Sequence, residues 1–169
     1  MIPEAFLARM STLPGLDFSA FYKALEKPPV RALRVNPVKT DEKTLLPLLP
    51  FATEPLTFLP GAFLAGADKV GALPAHHAGM FYMQDPSAIS AVAAVPLKAG
   101  IRAIDLCAAP GGKTTQIAAA IGESGVLVAN EYVPARCRIL QGNVERLGLS
   151  NTVVTNLDTG ALADFYGSY

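Results

Sequence analysis

One short segment of the chain combines residue types that suit an anionic ligand with the place in a fold where ligands bind. It follows a predicted strand, precedes a predicted helix and reads Asp105-Leu106-Cys107-Ala108-Ala109-Pro110-Gly111-Gly112-Lys113-Thr114. Glycines at such a turn let the backbone approach a ligand, and the following helix directs free N–H groups at the anionic part of that ligand. Residues 107–113, called the glycine loop below, therefore predict a ligand site at the carboxyl end of a strand.

Two acidic residues stand where the next two predicted strands end. Glu131 lies 19 residues after Gly112, which is the usual position of an acid that accepts both hydroxyls of a ribose. Asp158 closes the third strand and can accept a hydrogen bond from an adenine amino group. Together with the glycine loop, these acids predict a cofactor that contains a nucleoside, although either acid could instead be a solvated surface residue.

The glycine loop is compatible with two ways of binding a nucleotide. The dinucleotide fingerprint Gly-x-Gly-x-x-Gly is absent, and the P-loop pattern Gly-x-x-x-x-Gly-Lys-Thr fails only where Cys107 replaces the first glycine. A P-loop also needs an acid at a later strand end to hold magnesium, which Glu131 or Asp158 could provide. Pro110 argues against this alternative because proline has no N–H for a phosphate cradle. A nucleotide triphosphatase stays open as an alternative at this point.

The elements that must position the loop and the acids alternate between strand and helix. Each predicted strand is short and apolar, and Asp85 followed by Pro86 is a typical start of a helix. This repeat predicts a parallel sheet with helical crossovers, an α/β architecture. The predicted strands cover residues 101–106, 126–129 and 152–155, and the predicted helices cover residues 87–95, 113–121 and 134–147.

The N-terminal part of the chain predicts a smaller module with both helices and strands. Asp17 and Asp41 can cap its second and third helices, and residues 60–79 are rich in Gly, Ala and Pro, which favours a connection between two modules. Residues 30–36 alternate apolar and polar side chains, as expected of a half-buried strand. The predicted helices cover residues 3–10, 17–26 and 43–49, and the predicted strands cover residues 30–36 and 56–59.

Composition excludes several classes of protein. Of the 169 residues, 51% are hydrophobic, which is too many for a disordered chain, and two cysteines are too few for a disulfide scaffold. Apolar stretches are too short to cross a bilayer and no signal peptide opens the chain, so we expect a soluble, cytoplasmic protein. The net charge is zero, but residues 1–40 hold six basic side chains against three acidic ones, a mild basic bias.

The motifs described above resemble those of one known family. The glycine loop and its flanks resemble the S-adenosylmethionine-binding signature of the Sun/nucleolar-protein family of RNA (cytosine-5) methyltransferases, and the bacterial branch that acts on ribosomal RNA is the most similar. The segment Arg34-Val35-Asn36-Pro37 resembles the Arg-x-Asn element of the N-terminal RNA-binding module of that family. Further similar blocks are Tyr82-Met83-Gln84-Asp85-Pro86-Ser87-Ala88, Asn130-Glu131, Arg146-Leu147-Gly148 and Val154-Thr155-Asn156-Leu157-Asp158.

The resemblance implies a fold and a set of binding residues. Residues 1–75 would form a small α+β RNA-binding module, and residues 76–169 would form the first half of a Rossmann-like methyltransferase domain with an incomplete parallel sheet. Arg34 and Asn36 would contact RNA, with ribosomal RNA as the partner, and the unpaired edge of the first strand would allow self-association. S-adenosyl-L-methionine would be bound by Cys107, Ala108, Ala109, Pro110, Gly111, Gly112, Lys113, Glu131 and Asp158.

The resemblance also implies a reaction for which this chain lacks an assigned nucleophile. In the family, a cysteine thiolate adds to C6 of cytosine, so that C5 accepts the methyl group, and a second cysteine assists product release. Both cysteines lie beyond the third strand, and neither Cys107 nor Cys137 matches them. The resemblance therefore places the nucleophile beyond Tyr169, the last residue of the sequence.

Two further expectations concern what this chain does by itself. Without the nucleophile, we expect it to bind the cofactor without methylating RNA, and a non-catalytic fragment that binds RNA or a partner remains an alternative. We expect no metal at His76-His77, because adjacent histidines point apart and no third ligand is suitably spaced.

Overall fold

The computed structural model describes residues 2–66 and 70–166. Two short helices open the chain, α1 (Glu4–Ser11) and α2 (Phe18–Leu25), and Asp17 caps α2 as predicted by accepting the N–H of Ala20 at 2.9 Å. Neither helix has a buried residue. The two helices contact each other through aromatic side chains, with the rings of Phe6 and Phe21 6.2 Å apart.

An antiparallel sheet follows, built from β1 (Ala32–Val35), β2 (Thr53–Pro55), β3 (Ala62–Ala65) and β4 (Phe81–Gln84) in the order β2-β3-β1-β4. Helix α3 (Glu42–Leu45) and a 3-10 turn at Leu46–Leu48 lie between β1 and β2, and α4 (Pro74–His77) precedes β4. The predicted helix at residues 43–49 is shorter because Pro47 supplies no N–H to continue it.

Two predictions for this region are wrong. Residues 56–59 form the turn between β2 and β3, not a strand, and residues 60–79 are not a plain connection because they contain β3 and α4. The boundary predicted between residues 75 and 76 stays a prediction, but β4 lies beyond it and pairs with β1 along its whole length, with Arg34 opposite Tyr82.

The C-terminal half forms the predicted parallel sheet. The chain runs through α5 (Pro86–Ala93), β5 (Arg102–Asp105), α6 (Gly112–Ile121), β6 (Val126–Asn130), α7 (Pro134–Leu147), β7 (Thr152–Thr155) and α8 (Thr159–Tyr166). The strand order is β5-β6-β7, and both pairs are parallel. Within the described ranges β5 pairs with β6 alone, so its other edge is unpaired. No helix in those ranges is long and apolar enough to cross a membrane.

The C-terminal limit of the predicted methyltransferase half is not tested by this architecture. Tyr169, at which that half was predicted to end and beyond which the nucleophile is expected, lies outside the described residues. The described part of this half ends in α8, three residues earlier. The position of the nucleophile relative to Tyr169 therefore stays a prediction.

The two halves of the chain meet along a buried contact surface, called the seam below, which is formed by one face of β1 and β4. It arises because the side chains of β1 alternate between two faces of the antiparallel sheet. Leu33 and Val35 enter the core beneath the antiparallel sheet, while Arg34 and Asn36 face the opposite side. Strand β4 alternates in the same way, because Phe81 belongs to that same core and Tyr82 belongs to the core of the parallel sheet. The antiparallel sheet is therefore packed directly against the half of the chain that carries the glycine loop.

Candidate functional site

The carboxylate of Asp105, at the end of β5, holds both ends of the glycine loop. One oxygen, Oδ1, accepts the N–H of Cys107 at 3.3 Å, and the other, Oδ2, accepts the hydroxyl of Thr114 at 2.8 Å. Thr114 is fully buried, and its hydroxyl also lies 3.2 Å from the carbonyl oxygen of Ala108. Asp105 had no predicted role, although its place at the end of a predicted strand, directly before the glycine loop, was an available signal.

Helix α7 and the end of β6 hold the loop from its other side. Asn143 donates to the carbonyl oxygen of Pro110 and Arg136 to that of Ala109, both at 2.8 Å. The N–H of Ala108 donates to the carbonyl oxygen of Asn130 at 2.8 Å. The turn of the loop is completed at Gly111, whose φ of +112° favours glycine, and α6 begins at Gly112, so that the last two residues of the loop belong to the helix. The loop backbone is thus fixed on both sides before any ligand binds.

A cleft of about 630 Å³ lies between the loop and the end of β4. Its loop side includes Cys107 and the exposed Lys113, and its opposite side includes Tyr82, Gln84 and Asp85. The Nε2 atom of Gln84 is buried and has no hydrogen-bond partner within the described part of the chain. The cleft is therefore lined by a residue with an unused amide donor and by a lysine ammonium, two groups that suit an acidic group of a ligand.

Glu131 lies at the end of β6, beside the loop, as predicted. Its side chain is buried; Oε1 accepts the N–H of Val133 at 3.0 Å, and Oε2 lies 3.7 Å from the Arg136 guanidinium. At that distance from its cationic partner, Oε2 keeps capacity to accept hydrogen bonds. The neighbouring Tyr132, which had no predicted role, exposes 66% of its surface and offers a flat ring next to that acid.

Asn130 ties together the carboxyl ends of all three parallel strands. Its fully buried side chain donates to the carbonyl oxygens of Leu106 and Leu157, at 3.4 and 3.0 Å, and accepts the Thr155 hydroxyl at 2.9 Å. Asp158 follows this junction and is exposed, and its Oδ1 accepts the N–H of Gly160 at 2.8 Å at the start of α8. The loop, Glu131 and Asp158 thus lie at one edge of the sheet, in the order that the sequence predicted.

The structure does not place Arg34 and Asn36 where RNA could reach them. Arg34 is 5% exposed and Asn36 is 1% exposed. The Arg34 guanidinium donates to Thr115 on α6, and the Asn36 amide donates to the carbonyl oxygens of Gly79 and Leu147, at 2.8 and 2.9 Å. Their predicted role as RNA contacts is therefore corrected, because their donors are used inside the protein.

The two cysteines differ in environment. Cys107 is exposed on the loop, whereas Cys137 is buried on α7 with its Sγ 3.6 Å from the carbonyl oxygen of Thr155. Burial, with a smaller contribution from the Glu131 carboxylate, raises the pKa of the Cys137 thiol and so disfavours its thiolate. Across residues 2–66 and 70–166, no three His, Cys, Asp or Glu side chains are grouped as metal ligands.

The fold and this site define a class of protein. The α/β chain, with a parallel sheet and a glycine loop held at its carboxyl edge, has the Rossmann-like methyltransferase fold. Residues 2–86 match the family model of the N-terminal domain of 16S rRNA methyltransferase RsmF, and residues 93–168 match that of 16S rRNA methyltransferase RsmB/F. Within that class, the chain therefore belongs to the 16S rRNA methyltransferase RsmB/F family. The resemblance stated from the motifs is thereby confirmed.

Individual relatives agree with this assignment. Ribosomal RNA small subunit methyltransferase F of Enterobacter sp. (strain 638) is 37% identical over 92% of this chain and 35% of the relative, and that of Klebsiella pneumoniae (strain 342) is 38% identical with the same coverage. The chain thus spans about a third of the length of these curated relatives. A solved methyltransferase homologue from Pyrococcus horikoshii is 25% identical with a TM-score of 0.85, covering 99% of this chain and 57% of that one.

Proposed function

We propose that this chain is the cofactor-binding part of an S-adenosylmethionine-dependent enzyme that methylates C5 of a cytosine in small-subunit ribosomal RNA. The observation that carries the proposal is the glycine loop, fixed by Asp105 and α7, with Glu131 at the next strand end. The names of the relatives support ribosomal RNA as the substrate. We further propose that the protein acts in the cytoplasm.

The residues at the sheet edge fit S-adenosyl-L-methionine, which supplies the methyl group as an electrophilic sulfonium. The Glu131 carboxylate can accept the two ribose hydroxyls, the Tyr132 ring can pack on the adenine, and Asp158 can accept the adenine amino group. Residues 108–112 have little side-chain bulk, so their backbone would lie close to the ligand. Lys113 and the unpartnered amide of Gln84 can bind the carboxylate of the amino-acid part.

The same geometry disfavours the triphosphatase alternative. In a P-loop, the hydroxyl after the lysine binds magnesium. Here Thr114 occupies that position, but it is fully buried and its hydroxyl donates to Asp105. Because Thr114 has no exposed surface, a metal ion could reach its oxygen only if the surrounding backbone moved.

Calorimetric titration of the purified chain distinguishes the two cofactors. We expect S-adenosylhomocysteine to bind saturably at one site per chain, since it keeps the adenosine and carboxylate groups that these residues recognise. Magnesium-ATP, titrated as the control ligand, should give no saturable heat. Saturable binding of magnesium-ATP alone would contradict the proposal.

We also propose that neither cysteine of this chain is the nucleophile, because Cys137 is buried and Cys107 belongs to the cofactor loop. The chain then binds the cofactor without transferring its methyl group.

The unpaired edge of β5 supports a second proposal, that this polypeptide self-associates through strand pairing. Light scattering should give a mass that rises with protein concentration, whereas a constant monomer mass would contradict self-association.

A further inference from the structure

We propose that Arg34 is a positioning residue for the cofactor site: from the antiparallel sheet, it holds the first turn of α6 and the Gln84 amide in the arrangement that binds the cofactor. This inference rests on the proposed function, because it concerns the same site. It gives the N-terminal strand β1 an internal role in place of the RNA contact that its motif predicted.

The Arg34 guanidinium spans the gap between the two sheets. Its Nη2 lies 2.7 Å from the hydroxyl oxygen of Thr115 and 3.4 Å from the carbonyl oxygen of Gly112, and its Nε lies 3.5 Å from Oε1 of Gln84. Gly112 is the first residue of α6, directly after the turn of the glycine loop. The buried side chain of Arg34 thus contacts both the beginning of α6, on the loop side of the cleft, and β4, on the opposite side.

Because the Arg34 cation is buried, its free energy depends on the position of the first turn of α6. Burial lowers the pKa of Arg34 to about 10, so the group still carries its charge at neutral pH. A buried charge is costly unless its donors are satisfied. The oxygen atoms of Thr115, Gly112 and Gln84 satisfy it only while α6 begins where it does, so a displaced first turn would leave the charge poorly solvated.

The contact with Arg34 also fixes the orientation of the Gln84 side-chain amide. Because Oε1 faces the Arg34 donor, Nε2 is the atom left without a partner, and Gln84 lines the cleft. Gly112 allows this close approach, since a Cβ there would lie 3.3 Å from Cδ of Gln84. Arg34 therefore orients a donor toward the site as well as fixing the helix start.

A second set of contacts keeps β1 and β4 from shifting relative to α7. Asn36 donates to the carbonyl oxygens of Gly79 and Leu147. From α7, Arg146 donates to the carbonyl oxygen of His76 at 2.6 Å, and its guanidinium carbon lies 6.0 Å from the ring centre of Tyr82. Because these contacts hold β1 and β4 in place, movement of the antiparallel sheet cannot compensate for a displacement of α6 relative to Arg34.

Amide hydrogen exchange, combined with titration of S-adenosylhomocysteine, tests this role in Arg34→Met. We expect exchange in residues 107–118 to quicken and the Kd to rise, each by about tenfold, the factor that corresponds to one charge-assisted hydrogen bond. Exchange in β7 should stay unchanged. Arg138→Met, which removes an exposed arginine of α7, is the matched control and should alter neither quantity.

Thr115→Val provides a second variant should Arg34→Met fail to fold, because it removes the acceptor and keeps the side-chain volume. It should quicken exchange in the same residues, and combining it with Arg34→Met should add little. Unchanged exchange in residues 107–118, or an equal rise throughout the chain, would overturn the inference. Local quickening in a chain whose wild type binds no S-adenosylhomocysteine would support the positioning and contradict the proposed function.

Discussion

Replacing Glu131 by glutamine should weaken the binding of S-adenosylhomocysteine by roughly 10- to 100-fold, the range expected for losing a hydrogen bond to a charged acceptor. The ribose hydroxyls are donors that need acceptors, and the carboxylate offers two oxygen atoms where the amide offers one. Glu131 is buried beside the loop, so water cannot readily replace the lost acceptor. Calorimetric titration measures the effect directly.

The glutamine variant should leave the fold intact. The amide oxygen can still accept the N–H of Val133, which donates to Oε1 of Glu131 in the wild type at the start of α7. The lost ion pair with Arg136 spans 3.7 Å and involves a half-exposed guanidinium, so it contributes little to stability. Arg136 also keeps its bond to the carbonyl oxygen of Ala109. The expected loss is therefore specific to the ligand.

Glu145→Gln is the matched control for that experiment. Glu145 is exposed on α7, where it accepts a hydrogen bond from Gln141 at 2.8 Å, and an amide can keep that contact. This variant should bind S-adenosylhomocysteine as the wild type does. Equal affinities for the Glu131 variant, the Glu145 variant and the wild type would show that the Glu131 carboxylate does not contact the ribose.

The position of the candidate site residues at one edge of the parallel sheet could be predicted because its determinants are local in sequence. The glycine loop, Glu131 and Asp158 each follow a short apolar strand directly, and parallel strands bring their carboxyl ends together. The roles of Asp105 and Asn130 were missed, since a polar residue at a strand end looks the same whether it faces a ligand or holds the backbone.

The seam between the sheets could not be predicted because its partners are distant in sequence. The alternation at residues 30–36 indicated a polar face, and a polar face normally meets water. Here that face is covered: Arg34 reaches a residue 81 positions away, and Asn36 reaches one 111 positions away. The β2–β3 turn was missed for a related reason, since the apolar Leu56 and Leu59 pack on a core from a turn as well as from a strand.

The closest backbone approach in this seam is at Gly79, and a substitution there should have the largest effect on stability. Gly79 has a φ of +74°, and a Cβ added there would overlap the carbonyl oxygen of Arg146 and lie 2.8 Å from its carbon. A left-handed φ costs a non-glycine residue about 1–2 kcal/mol, and overpacking costs roughly 1–3 kcal/mol. Gly79→Ala should therefore reduce the free energy of unfolding by about 3 kcal/mol and lower the Tm by about 6–12 °C.

Gly142→Ala is the control for this substitution, since it adds the same methyl group to an exposed site in the middle of α7 with nothing within 4 Å. It should raise the free energy of unfolding by about 0.5–1 kcal/mol, because alanine favours a helix. Thermal unfolding followed by far-UV circular dichroism measures both variants. An unchanged Tm for Gly79→Ala would mean that the turn after α4 can move away from the end of α7 at little cost in free energy. The contacts of Asn36 and Arg146 could then not hold β1 and β4 against the cofactor half.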